Sequence, residues 1–305
     1  MEQSVSVYVA GTVDDRAVYW KDGVMIPLTT PEMASSAAGS IVVSGDDIYV
    51  SGTVDNRSVY WKNAVLVALP EIDQQQYLMI ATPTVSVSED DVYIASMACP
   101  PYDYCEATLW KNGVPVPLDS QFGGRISSMA ISQSNDVYIA SSGYPALLWK
   151  NGEVQKISRE DNGASSYFVF VDREDVYVAG TVSPDNISVP CYWKNGERID
   201  LSGGGSPAIA KAIFVSGNDV YVVGDQAKDT GTKAILWQNG VPIELPTELI
   251  HSAATSLWVS GNDVYVGGVE FDDSQFLFAR YWKNGVPVAL TDETTGGYVT
   301  SITVK

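Results

Sequence analysis

Histidine occurs once in this chain, as His251, and cysteine three times, as Cys99, Cys105 and Cys191. One imidazole leaves a Ser-His-Asp triad a single candidate base, and no Gly-x-Ser-x-Gly elbow is written anywhere. Three cysteines without a Cys-x-x-Cys pair do not frame a metal site, and no cofactor is expected. Basic residues are also scarce, 18 against 37 acidic ones. The resulting net charge of −19 repels phosphate backbones and anionic membranes, which excludes nucleic acid as a partner. No apolar run approaches the roughly 20 residues of a spanning helix, so membrane insertion is not expected. Met1 to Ser6 leads straight into a strand-like segment without a signal-peptide core. The chain is therefore expected either to stay in the cytoplasm or to take an export signal from outside these residues.

What is present is a repeat. The 305 residues are 45% hydrophobic, enough for a sizeable core in a single domain over 1–305. "YWKNGVPVAL" at 281–290 nearly copies "LWKNGVPVPL" at 109–118. The same tryptophan recurs at Trp20, Trp61, Trp110, Trp149, Trp193, Trp237 and Trp282, a spacing of roughly 40 to 50 residues. Each unit divides into four strand-like runs, of the types "SIVVS" (40–44), "DIYVSG" (47–52), "SVYW" (58–61) and "VPVPL" (114–118), and none has helical periodicity.

The turns specify the pairing. Third and fourth runs are joined by Asn-Gly or Asp-Gly in six units, the pair that suits a two-residue type I′ hairpin. The second unit has Asn63-Ala64 instead, at a cost of roughly 1–2 kcal/mol if the turn type is kept. First and second runs are joined by Ser-Gly-Asn-Asp or a variant, with one extra residue around Gln133 to Ser134. Proline in the fourth run, at Pro27, Pro115, Pro117, Pro242 and Pro287, places that run at a sheet edge.

Four-stranded sheets at this period describe an all-β, seven-bladed β-propeller. The first run is missing before Val7 but appears at the end as "TSITVK" (300–305), so residues 300–304 are expected to supply the inner strand of the first blade and close the ring.

Two repeated residues invite functional readings. The seven tryptophans suit ligand stacking or, as expected here, the wedge between neighbouring blades. Asp47, Asp91, Asp136, Asp175, Asp219 and Asp263 could form a ring of metal-binding or catalytic carboxylates; the expected role is bonding to the backbone of the local turn. Function is expected on the opposite face, where second-to-third loops and fourth-to-first linkers vary. Those segments carry Tyr77, Tyr102, Tyr104, Phe122, Arg125, Tyr144, Phe271, Asp272 and Phe276, aromatic and polar side chains of the kind that recognise glycans or peptides. Loop carboxylates Asp14, Asp15, Asp55, Asp272 and Asp273 lack the spacing of a Ca²⁺ loop. "GDQAKDTGTK" (224–233) lacks the spacing of a phosphate loop. Cys99 and Cys105, in "MACPPYDYCEA", either close a small loop as a disulfide, which suits an exported protein, or stand as free thiols.

The alternation of "YWKNGVPVAL" with "SLWVSGNDVYVGG" resembles the repeats of uncharacterised bacterial β-propellers of the secreted or lipoprotein type, over essentially the whole chain. The resemblance implies a bacterial source and export to the periplasm or cell surface, and it carries no catalytic residues. The expected function is a monomeric, non-enzymatic binding module that meets a glycan or protein partner through its variable-loop face. The alternative is a carbohydrate-active hydrolase or lyase using loop carboxylates.

Overall fold

The computed structural model describes all residues except 1–4, 31–32, 34, 71–78, 100–105, 117, 119–124, 143–145, 158–163, 203–205 and 293. Seven four-stranded antiparallel sheets stand in a ring, as a seven-bladed β-propeller. Their inner strands are Gly297–Val304, Ser36–Ser44, Met79–Ser88, Arg125–Ile131, Ser165–Asp172, Ala208–Ser216 and His251–Ser260, which number blades 1 to 7. Each inner strand contacts the next, and the seventh contacts the first. The closing strand begins three residues earlier than the sequence suggests. It pairs with Val7–Val13, and Ser6 and Lys305 exchange both backbone hydrogen bonds at the junction.

The tryptophans are wedges. Those of the repeat are 0–2% exposed, and Trp61 of blade 2 packs against Tyr8, Ala10, Ala17 and Tyr19 of blade 1. Burying such a ring removes 150–250 Å² from water, about 4–6 kcal/mol each. Indole N–H groups then tie blade to blade: Trp20 donates to the Leu290 carbonyl (3.2 Å), Trp237 to Ser202 (2.9 Å) and Trp282 to Pro246 (2.7 Å). The ring also explains a glycine in mid-strand. A Cβ on Gly52 would stand 2.6 Å from Cζ3 of Trp61 and collide with the Ala37 carbonyl.

Both central residues of every third-to-fourth turn have positive φ, Asn63 and Ala64 included (52° and 63°). These are the type I′ turns the sequence requires. The fourth strands lie outermost, with Val24, Val65, Val114, Val241 and Val286 63–66% exposed.

The aspartate before each second strand has a different role from the one expected. Its main partners lie outside its own turn, and it clasps the two hairpins of a blade together. In blade 2 Asn63 accepts from Ile48 N (2.9 Å) through Oδ1 and donates from Nδ2 to Asp47 Oδ1 (2.7 Å). Lys62 meets Asp47 Oδ2 at 2.7 Å and lies over the Tyr49 ring at 5.3 Å. Blades 3, 4, 5 and 7 repeat the bonds with Asp91, Asp136, Asp175 and Asp263. The reason is reach: the carboxylate stands beside the neighbouring hairpin, whose asparagine offers two donors. Blade 1 has Ser6 in place of the aspartate, and its partner is Asp22, which needs no acceptor and takes Val7 N at 2.8 Å.

Candidate functional site

The tight turns fall on one face and the variable connections on the other. Two of those connections are not loops at all. Asp14-Asp15 and Asp55-Asn56 have φ between 47° and 59° and are two-residue hairpins joining strands that end at Val13 and Val54. "GDQAKDTGTK" is likewise a hairpin, with strands Asp219–Lys228 and Gly231–Gln238.

Of the residues singled out in the sequence, Tyr77, Tyr102, Tyr104, Phe122, Tyr144 and Cys105 lie outside the described residues. Cys99 ends the strand Asp91–Cys99, and its side chain lies outside them too. Arg125 opens the inner strand of blade 4 and is exposed. Phe271, Asp272 and Phe276 come together on blade 7. Phe271 stacks on His251 at 4.8 Å with the rings 7° apart. Phe276, 37% exposed, meets Phe278 edge-on at 5.0 Å. Asp272 Oδ1 accepts from the hydroxyl (2.5 Å) and amide (2.9 Å) of Ser274 and from Phe276 N (3.3 Å). These bonds, Ser274 Oγ foremost, hold its carboxyl below the usual range.

Behind this loop opens a pocket of about 740 Å³. It is lined by Glu248 and Leu249 from the preceding linker, by Asp272, Phe278 and Arg280 of blade 7, and by Ala289, Leu290, Thr291 and Asp292 beyond them. The volume suits a small-molecule or disaccharide-sized ligand. Arg280 is held by Glu270: Nε to Oε2 is 3.0 Å, the carboxylate is fully buried and the arginine side chain is 15% exposed. Glu270 also accepts from Glu248 N (3.3 Å), which ties blade 7 to the linker. Asp292 is held low by Thr294, whose hydroxyl and amide donate to it at 2.7 and 2.8 Å. His251 is structural. Its Nδ1 accepts from Thr232 N (3.1 Å), so the neutral ring carries its proton on Nε2, which points to Asp273 Oδ1 (3.4 Å).

The sequence reading missed Glu270 and Arg280, although a signal was there. Arg280, two residues before Trp282, stands where the other blades have Val18, Val59, Thr108, Leu147, Cys191 and Ile235. Glu270 stands where they have Val13, Val54, Ala98, Gly143, Val182 and Gln226. Charges at uncharged repeat positions mark the site. Blade 6 has a second such pair, Lys211 and Asp225 at 2.5 Å. Burial pushes the Asp225 carboxyl up, against the opposing pull of Lys211, and its Oδ1 accepts from Ala254 N of blade 7 (3.2 Å).

Around the axis every inner strand shifts register at its middle. Hydroxyls there stitch neighbouring blades: Ser40 Oγ accepts from Val85 N (2.7 Å), Ser128 Oγ from Val169 N (2.6 Å), and Thr255 Oγ1 donates to the Val299 carbonyl (2.9 Å). Among the described residues, no group of three potential metal ligands converges.

No protein-family model matches the chain, and no curated protein does. Solved structures do. A puromycin-hydrolyzing peptidase of Mycobacterium tuberculosis matches at a TM-score of 0.60 and 12% identity, over 94% of this chain and 53% of that one. The WD40 β-propeller domain of Doa1 matches at 0.54 and 17%, over 88% and 91%. The extracellular domain of a one-component system, BT4673, from B. thetaiotaomicron matches at 0.52 and 11%, over 92% and 44%. This chain thus spans about half of the peptidase and less than half of the BT4673 domain. At these identities the likeness is one of fold.

Proposed function

We propose that this propeller is a binding module that takes a glycan in the blade 7 pocket of its variable-loop face. The observation that carries the reading is the pairing of an aromatic lining residue, Phe278, with an arginine whose orientation is fixed by a buried glutamate. A ring offers its face to the C–H side of a sugar, and a pre-oriented guanidinium with nearby carboxylates bonds the hydroxyls at little entropic cost. Glycoside hydrolysis asks for something else, a carboxylic acid with raised pKa opposite a second carboxylate. Asp272 and Asp292 are both shifted down, by bonds from Ser274 and Thr294, and Glu270 is committed to Arg280. The reading also expects the protein outside the cytoplasm, where glycans are displayed.

A glycan array incubated with the wild type tests it. Binding without turnover is expected, and Phe278→Ala should weaken it by about tenfold or more while the thermal transition remains cooperative. Hydrolysis of an arrayed oligosaccharide that disappears in Asp292→Asn would overturn the binding reading in favour of the hydrolase. The specific feature behind that second reading is that Glu248 and Asp292 line one pocket.

A further inference from the structure

The tight-turn face has its own irregularity, one step from the turns on the inner strands. The residue opposite the second-strand tyrosine is Thr303, Val42, Ser86 and Ala130 in blades 1 to 4, but Phe170, Phe214 and Trp258 in blades 5 to 7. The three rings form a continuous arc: Phe170 to Phe214 is 4.6 Å between centroids, and Phe214 to Trp258 is 5.2 Å. All three remain partly exposed. This inner-strand position is therefore aromatic in three consecutive blades and small in the other four.

A cleft of about 540 Å³ opens between blades 5 and 6, lined in part by Tyr177, the cross-strand partner of Phe170. Its floor includes Tyr177, Tyr192, Val215 and Val220, which pack in the same apolar cluster as Phe170. Asp172, Arg173, Glu174 and Asn218 stand around it. Arg173 takes φ 56° at the turn position where blade 3 has Glu89 at 53° and blades 2, 6 and 7 have Gly45, Gly217 and Gly261 at 54–62°. The inner-turn rim as a whole is electronegative. Beyond the clasp aspartates that hold lysines, it carries Asp46, Glu89, Asp90, Asp172, Glu174 and Asp219, against Arg173 and Lys305.

We infer that this face is a second binding surface, for a basic peptide segment of a protein partner, which sets one large apolar side chain against the Phe170–Phe214–Trp258 arc and lays its flanking chain along the blade 5–6 cleft. The aromatic arc supplies desolvation energy for an anchor, the cleft supplies the length, and the acidic rim selects Lys and Arg on either side of it. A glycan is the poorer fit here. The rings are tilted into one another at 39° and 57°, so they present a stepped apolar surface instead of a single open face.

The repeat tryptophans being 0–2% exposed, Trp258 is the accessible indole and reports on the site. Random decapeptides displayed on phage are selected on the wild type and on the double variant Phe214→Ala/Trp258→Ala, with circular dichroism confirming that the variant folds. Sequences enriched on the wild type should carry one aromatic or large aliphatic residue among lysines or arginines. As synthetic peptides they should protect Trp258 fluorescence from acrylamide, bind the double variant about tenfold or more weakly, and lose affinity as salt rises. No enrichment over the variant, acidic enriched sequences, or protection by oligosaccharides and not by peptides would overturn the inference. Phe278→Ala should leave this binding unchanged, so the two sites fail or stand separately.

Discussion

Ala64 holds a left-handed conformation, φ 63°, at the turn position where the six other blades use glycine. Ala64→Gly should therefore stabilise the protein by about 1 kcal/mol, raising the melting temperature by roughly 2 °C; an unchanged or lower value would sink the strain argument. Cys191 is a second residue with a clear fate. It is fully buried, and burial pushes its thiol up to about 12, so it should not react with a disulfide reagent in the native protein and should react fully in denaturant. Ala64 was legible as a departure from the repeat, and so in retrospect were Arg280 and Glu270. What the sequence could not convey is distance. Glu248, Arg280 and Asp292 line one pocket from three separate segments, with Glu270 buried behind Arg280 on a fourth, and only the folded blade brings them together.

The element that governs the tight-turn face is the Asp-Asn-Lys clasp. Hydrogen bonds from lysine and asparagine hold Asp47, Asp91, Asp136 and Asp175 below the usual carboxylate range; for Asp263 the asparagine is the larger influence. A depressed folded-state pKa stabilises the native protein above the unfolded value of about 3.9, and that stability is lost as pH falls through the folded pKa values. The urea midpoint should accordingly drop on acidification below about pH 4, and a triple variant, Asp47→Asn, Asp91→Asn and Asp175→Asn, should show a shallower drop. Blade 1 permits a sharper test. Ser6→Asp alone places a carboxylate opposite Asp22 and should destabilise, whereas Ser6→Asp with Asp22→Asn completes the clasp beside Lys21 and should stabilise, by up to about 1 kcal/mol. Additive effects in chemical denaturation would show that the two hairpins do not communicate. The recurrence of these aspartates is plain in the sequence, yet their partner is 15 to 21 residues away, which is why a local turn was the natural reading.

At the scale of the molecule, blade count, strand order and closure all followed from the repeat, because each rests on short-range turn chemistry and on which run is missing at one end. Closure can be tested directly. Lys305 and Ser6 pair as Ser44 and Asp47 do across the two-residue turn Gly45-Asp46. Joining Lys305 to Ser6 through Gly-Asn, and opening the chain between Asp229 and Thr230, should give a permutant that melts cooperatively within a few degrees of the parent. A non-cooperative or much lower transition would mean that the seam tolerates no covalent turn.

The seam also sets a timetable for synthesis. Of the described strands Val7–Val13 is synthesised first and its neighbour Gly297–Val304 last. At about 5 to 20 residues per second, the open edge of blade 1 waits on the order of 15 to 60 s for its partner. Through that interval the three N-terminal strands of blade 1 expose an apolar edge that lacks its inner partner, so the demand on chaperones or secretion factors should persist while the other blades are made and fall once Gly297–Val304 docks.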